Sequence, residues 1–586
     1  AIGWLKMAKA TRKRSDTVKN LLAYIRPYRR YLALSLLSAM MTVICTLMFP
    51  MITGRAIDVI SSGDLSIFAL YLFSLVFIAL FSSFMQFVMS QSNNKMAYYI
   101  VKDIRKDIFN HIQKLPLSYL DSHPQGDIVS RMIADVDQIS DGLLMGFTQL
   151  FTGVLTIAGT LFFLFYINWI VAFVVVLVTP ISLLSASFIA KKSYSLFHKQ
   201  GEARGEQTSF IDEMISDGNV GALFSREEKN KAQFDSLNER WASFSLFATF
   251  YSSITNPATR FVNSLVYTGV ALAGGLSALA GKLTIGALSA TLSYASQYTK
   301  PFNEISSVMT ELQNALASAD RVFELLKQPE ETKDKENAVV LESPEGKIDV
   351  SNVYFSYTKE QNLIKDFSLN VKPGMKIAIV GPTGCGKTTI INLLMRFYDV
   401  DSGSISVDGH DIRDITRHSL RASYGMVLQD TWLKSGTILD NLLFSNPDAT
   451  KEDVERVVKL CHLDSFIETL PLGYNEPVFD QSDSISQGQK QLLCIARVML
   501  SDPSMLILDE ATSSIDTRTE LMIQEAFSIM MKGKTSFIVA HRLSTIKSAD
   551  LILVMNNGNI IEQGTHEELL AKKGFYCNLY NSQFVI

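Results

Sequence analysis

The sequence predicts a chain of two parts, a membrane-spanning bundle of six long α-helices followed by an α/β domain. Two observations support this prediction. The first half of the 586-residue chain contains long runs without a charged residue, whereas roughly the last 240 residues have the mixed composition of a soluble domain. Within that second part, Gly381 to Thr388 fits G-x-x-x-x-G-K-[ST], a loop pattern that cradles phosphate groups.

The uncharged runs have the lengths of membrane-spanning helices, since about 20 apolar residues at 1.5 Å per residue cross the hydrocarbon core. The run from Gly142 to Ala190 is roughly twice that length. It therefore predicts two helices, with the turn at residues 166–169, where an asparagine lies beside interfacial aromatic residues. The six predicted spans lie in Tyr31–Ile52, Leu65–Asn94, the two halves of Gly142–Ala190, Trp241–Gly281 and Leu283–Thr299.

The distribution of positive charge predicts how these spans are oriented. Residues 1–30 contain nine Lys or Arg, and the segments Lys95–Arg131 and Lys191–Arg240 carry further cations on the same side. The opposite loops contain only Arg55 and Lys282. Because cationic loops stay in the cytoplasm, we expect a multi-pass protein of the plasma (inner) membrane with both termini and the α/β domain cytoplasmic.

The two long cytoplasmic segments keep helical periodicity, which predicts that the spans continue well beyond the membrane as helices. Each segment has a polar, turn-prone midpoint, at residues 121–126 and 215–219. We expect these tips to contact the α/β domain. Ordinary loop ends are the alternative, because turn chemistry alone does not separate the two.

Arg260 interrupts the fifth apolar run, shortly after Pro257, which would kink a helix. A charge at membrane depth usually faces protein or a water-filled cavity, so Arg260 is a candidate cavity residue. The alternative is that Arg260 lies nearer the cytoplasmic interface and extends its charged group towards water.

Composition excludes several classes of protein. The net charge of -4 gives no signal for nucleic-acid binding. The five cysteines have neither metal-site spacing nor the density of a disulfide framework. The basic start of the chain lacks the apolar core of a cleavable signal peptide. We expect four segments: an N-terminal elbow at 1–30, a membrane domain at 31–327, a charged, Pro-containing linker at 328–346 and the α/β domain at 347–586.

The phosphate-binding pattern has the local context that it needs. Ile377–Val380 predicts a buried strand before the loop, and Thr389–Met395 predicts a helix after it. Glycines let backbone N–H groups turn towards phosphate, and the helix N-terminus adds a favourable dipole. Lys387 would reach the β- and γ-phosphates of ATP, and Thr388 would bind Mg²⁺. The predicted ATP-binding residues of this loop are Gly381, Pro382, Thr383, Gly384, Cys385, Gly386, Lys387, Thr388 and Thr389.

Two further predicted strands end in residues suited to phosphoryl transfer. Met505–Asp509 is followed by Glu510, so that Asp509 is placed to hold Mg²⁺ and Glu510 to orient or deprotonate the attacking water. The strand before His541 places that side chain to contact the γ-phosphate. Ligands bind at the carboxyl ends of parallel strands, so these residues and Lys387 predict one catalytic site.

With these motifs, the chain resembles an ABC exporter half-transporter, in which one membrane domain is fused to one nucleotide-binding domain. The resemblance implies the type I exporter fold and a dimer that holds ATP between its subunits. It also implies a role for Tyr357 in stacking on adenine and for Gln429 in linking the γ-phosphate and Mg²⁺ to the membrane domain. Ile485–Gln489 matches the family signature, in which Ser486, Gln487, Gly488 and Gln489 would face the partner's ATP, and Asp516 lies in the loop between the two sites.

Two departures from the family pattern bear on the partner. Gln487 replaces a glycine of the signature, and Val478–Ser482 lacks the glycines usual upstream of it. The residues for this chain's own ATP are intact, whereas those offered to a partner's ATP are altered. This asymmetry favours a heterodimer with a second half-transporter, with a homodimer as the alternative.

The resemblance implies ATP-driven export of amphipathic small molecules, of the multidrug type, or of lipids. The expected cofactors are ATP and Mg²⁺, and the expected partners are membrane lipid, the substrate and the second half-transporter, without nucleic acid. An ATP-gated channel, or a regulatory protein that binds ATP without pumping, is the alternative from another class.

Overall fold

The computed structural model describes residues 16–62, 64–216, 223–358, 361, 363–429, 431–478, 485–509, 515–539 and 543–584. By their internal contacts the residues divide into two units. The first comprises Ala1–Lys114 and His123–Pro329, and the second comprises Leu115–Ser122 and Glu330–Ile586. The short segment Leu115–Ser122 therefore belongs with the C-terminal part of the chain.

Within the described residues, the first part of the chain consists of helices joined by turns. A 3-10 turn, Arg26–Tyr28, precedes the first long helix, and a π-helical turn, Gly146–Leu150, joins α5 to α6. The helices in chain order are α1 (Arg29–Ser62), α2 (Leu65–Ile112), α3 (Leu117–Ser122), α4 (Gln125–Met132), α5 (Ala134–Met145), α6 (Phe151–Ile167), α7 (Trp169–Ser216), α8 (Glu227–Leu279) and α9 (Ile285–Leu326).

Each predicted span lies in, or largely in, one of these long helical segments. Within the described residues, three stretches are long and apolar enough to cross a membrane: Asp16–Ile60, Leu65–Ile112 and Gln125–Ile167. Asn263–Leu279 in α8 is a shorter apolar stretch among the described residues. Helices α2 and α7 extend far beyond the apolar runs, as their periodicity predicted.

The turns between spans lie where the sequence predicted them. Asn168 has an extended backbone between α6 and α7, and its side-chain oxygen accepts from the N–H groups of Ile170 and Val171. Gly281 follows α8 with a φ of +70°, a left-handed conformation that glycine adopts without a steric penalty. Thr284 then caps α9 by accepting from the N–H of Ala287.

Helix α9, which leads towards the second unit, is held to α5 by polar contacts. The carboxylate of Asp135 receives two hydrogen bonds from the guanidinium of Arg321, and Gln138 donates to Glu311 at 2.8 Å. Gly142 allows the close approach, since a Cβ there would lie 2.2 Å from Cβ of Ala315. The two helices therefore pack closely along this contact.

The second unit contains strands and shorter helices. Its strands are β1 (Ile348–Phe355), β2 (Ile364–Val371), β3 (Lys376–Val380), β4 (Ser402–Val407), β5 (His410–Asp411), β6 (Tyr424–Val427), β7 (Gly436–Thr437), β8 (Pro477–Val478), β9 (Met505–Asp509), β10 (Thr535–Val539), β11 (Leu551–Asn556) and β12 (Asn559–Gly564). Its remaining helices are α10 (Lys387–Leu394), α11 (Arg417–Ala422), α12 (Ile438–Leu442), α13 (Lys451–Leu460), α14 (Asp464–Thr469), α15 (Gln487–Ser501), α16 (Thr517–Met530), α17 (Leu543–Lys547), α18 (His566–Ala571) and α19 (Phe575–Phe584). The 3-10 turns are Ile412–Asp414 and Gly473–Asn475.

A six-stranded sheet in the order β12-β11-β3-β10-β9-β6 forms the centre of the second unit. Its strands are parallel from β11 to β6, and β12 is antiparallel at one edge. Alternate residues of β3 enter two different apolar cores: Ala378 and Val380 one, Ile377 and Ile379 the other. Burial of both faces explains why this strand is an uninterrupted apolar run in the sequence.

An antiparallel sheet in the order β2-β1-β4-β5 packs its apolar side chains into the second of these cores. The short strands β7 and β8 form a separate antiparallel pair. The buried parallel strands therefore hold their carboxyl ends at one edge, which is where the candidate site lies.

Candidate functional site

The phosphate-binding loop connects β3 to α10, as the sequence predicted. Its glycines adopt backbone conformations that other residues avoid: φ is +156° at Gly381, +79° at Gly384 and +103° at Gly386. A Cβ on Gly381 would lie only 2.3 Å from the backbone oxygen of Met555. The glycines are therefore required for the path of the loop, and Gly386 forms the N-cap of α10.

Lys387 lies across this loop. Its Nζ donates to the backbone oxygens of Gly381 at 2.9 Å and Pro382 at 3.1 Å, and its side chain is largely buried. Thr388 is exposed at the start of α10, next to Lys387. A loop without acidic side chains, a buried ammonium group and a helix N-terminus together fit the triphosphate of ATP.

The register of the sheet brings the other predicted residues to the same edge. Asp509 is paired with Val539 of β10, which is paired with Ile379 of β3. Two strand spacings amount to about 10 Å, so the end of β9 lies that close to the start of the loop. Gln429 is exposed two residues beyond the end of β6, the strand next to β9.

The oxygen groups available at this edge suit a magnesium ion. The hydroxyl of Thr388, the carboxylate of Asp509 and the amide oxygen of Gln429 are hard donors, which Mg²⁺ prefers. Glu510 and His541 lie outside the described residues. Their places in the chain are one residue beyond β9 and two residues beyond β10.

Tyr357, the predicted adenine-stacking residue, lies beside the loop. The residue is 41% exposed, so part of it is accessible from solvent. Its hydroxyl donates to Thr389 Oγ1 at 3.2 Å and accepts from Asn392 Nδ2 at 3.2 Å. The sequence alone did not indicate a role for Asn392, because only the fold brings it to Tyr357 and no local pattern marks it.

The signature residues begin a helix. The hydroxyl of Ser486 accepts from the N–H of Gln489, and the side chain of Gln489 accepts from the N–H of Ser486, so the two form a capping box for α15. Gly488 is buried, and a Cβ there would lie 2.4 Å from Thr519. The residue that departs from the family pattern, Gln487, donates to Thr431 Oγ1 at 3.2 Å.

Asp516 caps the next helix, α16. Its carboxylate accepts from the N–H of Thr519 at 3.0 Å, and this bond lowers the pKa of Asp516. The altered residues 479–482 upstream of the signature lie outside the described residues. Arg260 is exposed within α8, and Pro257 lies inside that same continuous helix. The role of Arg260 as a cavity residue stays a prediction.

A phosphate-binding loop at the edge of a parallel sheet, fused to a long apolar helical domain, defines an ATP-dependent membrane protein. The family model for the ABC transporter transmembrane region matches residues 32–302, and the model for the ABC transporter domain matches residues 364–513. The chain belongs to the ABC transporter family, as an ATP-binding/permease half-transporter with the type I exporter fold. It is an ATPase-driven transporter of a membrane, and half-transporters of this kind generally dimerise.

Several relatives support this assignment. A fatty acid ABC transporter ATP-binding/permease protein of Mycobacterium bovis is 41% identical over 476 residues, which is 81% of this chain and 75% of that protein. A Staphylococcus aureus ATP-binding/permease protein named for multidrug export is 34% identical over 580 residues, 97% of this chain and 100% of that protein. The structure of a bacterial Atm1-family exporter with ATP bound matches with a TM-score of 0.78 and 26% identity, over 95% of this chain and 98% of that one.

Proposed function

We propose that this chain is one subunit of a dimeric exporter that moves an amphipathic molecule, drug-like or lipid, outward across the plasma membrane. The observation that supports it most is the intact phosphate-binding loop, with Lys387 across it, in a chain that also carries the membrane domain. The named relatives act on fatty acids or are named for multidrug export, and such substrates are typically amphipathic. The cationic segments favour a cytoplasmic nucleotide-binding domain.

The proposed chemistry uses the residues at the edge of the sheet. Lys387 exchanges its two backbone partners for β- and γ-phosphate oxygens, which places a positive charge where negative charge develops. Glu510 orients or deprotonates the attacking water, and His541 contacts the γ-phosphate. Mg²⁺, when held by Thr388, Asp509 and Gln429, would neutralise phosphate charge.

The signature helix is proposed to act on the ATP of the second subunit. Ser486 and Gly488 lie at the N-terminus of the 15-residue helix α15, which favours an anion. Closure of the dimer on ATP would then turn the membrane cavity outward, and hydrolysis would reset it. The altered Val478–Ser482 segment and Gln487 favour a heterodimer, in which one composite site is degenerate.

The test is ATP turnover and substrate movement in proteoliposomes by the full chain co-expressed with a second half-transporter, beside the same pair with Glu510→Gln or Lys387→Ala in this chain. Amphipathic drugs, fatty acids and phospholipids would be supplied in turn. We expect turnover stimulated by one of these classes, loss of ATP binding in Lys387→Ala, and ATP binding without turnover in Glu510→Gln. Substrate movement that persists in Glu510→Gln would instead indicate an ATP-gated channel and would contradict the proposal.

The mass of the purified particle tests the partner. We expect the chain expressed alone to be monomeric or inactive, and to gain turnover when a second half-transporter is co-expressed. A stable, active dimer of this chain alone would show that the homodimer is the working unit.

A further inference from the structure

Three aromatic rings lie together at the adenine end of the site. The rings of Tyr357 and Tyr398 meet edge to face with centroids 5.0 Å apart, and Phe355 contacts both, at 5.0 Å and 5.7 Å. Edge-to-face contacts of this kind fix the relative orientation of rings. The orientation of Tyr357 therefore depends on where Tyr398 is held.

Tyr398 is held from outside the nucleotide site. Its hydroxyl donates to the carboxylate of Asp121 at 2.7 Å, across 277 positions of sequence. Asp121 belongs to α3, the short helix in the segment Leu115–Ser122 that groups with the second unit. This segment follows α2, the second membrane helix, and it includes residues 121 and 122 of the first tip, which the sequence predicted at 121–126.

Hydrogen bonds from Arg396 hold the turn that carries Tyr398 on the side away from Asp121. Arg396 adopts a φ of +50°, and its buried guanidinium donates to Asp399 at 3.0 Å and to the backbone oxygen of Ile412 at 3.0 Å. A non-glycine residue in this conformation persists only where the surroundings impose it. Tyr398 thus contacts Phe355, Tyr357 and Asp121 from a turn that the bonds of Arg396 hold on its other side.

Tyr357 continues the connection to the phosphate-binding helix. Its hydroxyl is bonded to Thr389 and Asn392, both in α10. A continuous set of contacts therefore runs from α3, through Tyr398 and Tyr357, to the helix that begins at Lys387. Contacts of this kind can make two sites bias each other, provided that both bind the same arrangement of the shared element.

We propose that Tyr398 is a positioning residue that couples nucleotide affinity at Tyr357 to the docking of the helix Leu117–Ser122. This inference rests on the proposed role of Tyr357 in binding ATP. When α3 is docked, Asp121 holds the Tyr398 hydroxyl and the Tyr357 ring stands ready for the adenine. By linkage, any increase in ATP affinity caused by docking equals the increase in docking caused by ATP.

The test uses the full-length transporter in lipid nanodiscs and measures the binding of a fluorescent ATP analogue together with the KM and kcat of ATP hydrolysis. Tyr398→Phe keeps the ring and removes the hydroxyl, and Asp121→Ala removes the carboxylate. We expect either change to weaken ATP binding and raise KM by about threefold to tenfold, with kcat within about twofold, as for the loss of one partly exposed bond to a charged group. Tyr354→Phe, which removes an exposed hydroxyl of β1 outside this set of contacts, is the matched control.

The double variant separates coupling from local damage. If the two side chains act through one bond, Tyr398→Phe combined with Asp121→Ala should weaken ATP binding no more than either change alone. Additive losses, or an unchanged affinity in both single variants, would overturn the proposal. Analogue binding reports on Tyr398 even without turnover, whereas absent binding in the unmodified protein, equal to that of Lys387→Ala, would instead overturn the proposed ATP site.

Discussion

Two segments lead in sequence from the helices of the first unit into the second unit, and they are held there in different ways. The first, Leu115–Ser122, has an exposed hydrogen bond between Asp121 and Tyr398. The second is the part of the predicted linker (328–346) that begins at Glu330, and it is bound by ion pairs to Arg417, whose side chain is only 10% exposed, and to Arg421. The single exposed hydrogen bond of Leu115–Ser122 is suited to release, whereas the ion pairs of the linker are suited to lasting attachment.

The attachment of the linker centres on Arg417 in α11. Its guanidinium contacts Glu331 at 3.2 Å and Asp334 at 2.9 Å, and its backbone N–H also donates to Asp334, at 3.0 Å. Arg421 adds a 2.8 Å contact to Glu331. The side chain of Arg417 is only 10% exposed, so the charges are well shielded and mutually compensated.

The linker also joins the fold through its backbone. The N–H of Val339 donates to the backbone oxygen of Asp414 at 2.8 Å, and the backbone oxygen of Val339 accepts from Thr416 at 2.9 Å. Because α11 leads directly into β6 and Gln429, the linker is tied next to the strand that ends at the nucleotide site. We infer that the linker stays attached beside this strand, while α3 engages and disengages.

The largest expected effect comes from breaking the attachment of the linker. Arg417→Ala leaves Glu331 and Asp334 partly buried without their main partner, which should lower the free energy of unfolding of the second unit by about 2–4 kcal/mol. Denaturant titration followed by the fluorescence of Trp432, the tryptophan of this unit, measures the loss when the other three tryptophans are replaced by Phe. A loss no greater than that expected for an exposed ion pair would contradict the difference drawn between the attachment of the linker and the contact of Leu115–Ser122.

A smaller effect concerns the pKa of Tyr398. Partial burial, and then the hydrogen bond to Asp121, raise the pKa of this phenol above its ordinary value near 10. A raised folded-state pKa means that the contact is complete below about pH 10 and is lost only as the pH rises through the higher value. Asp121→Ala should lower the pKa of Tyr398, but the pKa should stay above its ordinary value because the burial of the phenol remains.

The difference in phenolate absorbance between the unmodified protein and Tyr398→Phe isolates this titration. Repeating the comparison in the Asp121→Ala background supplies the second curve. Identical pKa values for Tyr398 in the two backgrounds would show that Asp121 does not hold this hydroxyl.

The smallest effect should come from the exposed rim of the linker. Lys335 pairs with Asp414, and their side chains are 66% and 51% exposed. Lys335→Ala should therefore change the stability of the second unit by less than about 1 kcal/mol. In the same denaturant titration this variant is the matched control for Arg417→Ala, and a comparable loss from both would show that burial does not distinguish the two pairs.

The sequence predicted features that depend on local pattern. The strand before Gly381, the helix after it and the turn at Asn168 follow from apolar runs and from glycine or asparagine at fixed places. The linker segment, in contrast, has the composition of a flexible connector, yet Glu331 and Asp334 bind Arg417, more than 80 positions later. A run of charges does not reveal its counterions, because these are brought together only by the fold.

The same limit applies to the candidate site. Lys387 and Asp509 were predicted because each follows a strand in a recognisable motif. Tyr398 and Asp121 lie in no such motif, and the only local signal was the turn-prone tip itself. Of that predicted tip, the residues up to Ser122 group with the second unit and those from His123 onward with the first.

The most direct test of the account is backbone hydrogen exchange in Glu510→Gln with and without ATP and Mg²⁺, compared between residues 115–122 and 330–337. We predict that ATP slows exchange in 115–122, that the effect shrinks in the Tyr398→Phe background and disappears with Lys387→Ala, and that 330–337 is protected equally in every state. A linker whose protection changes with ATP, beside a tip whose protection does not, would contradict the account.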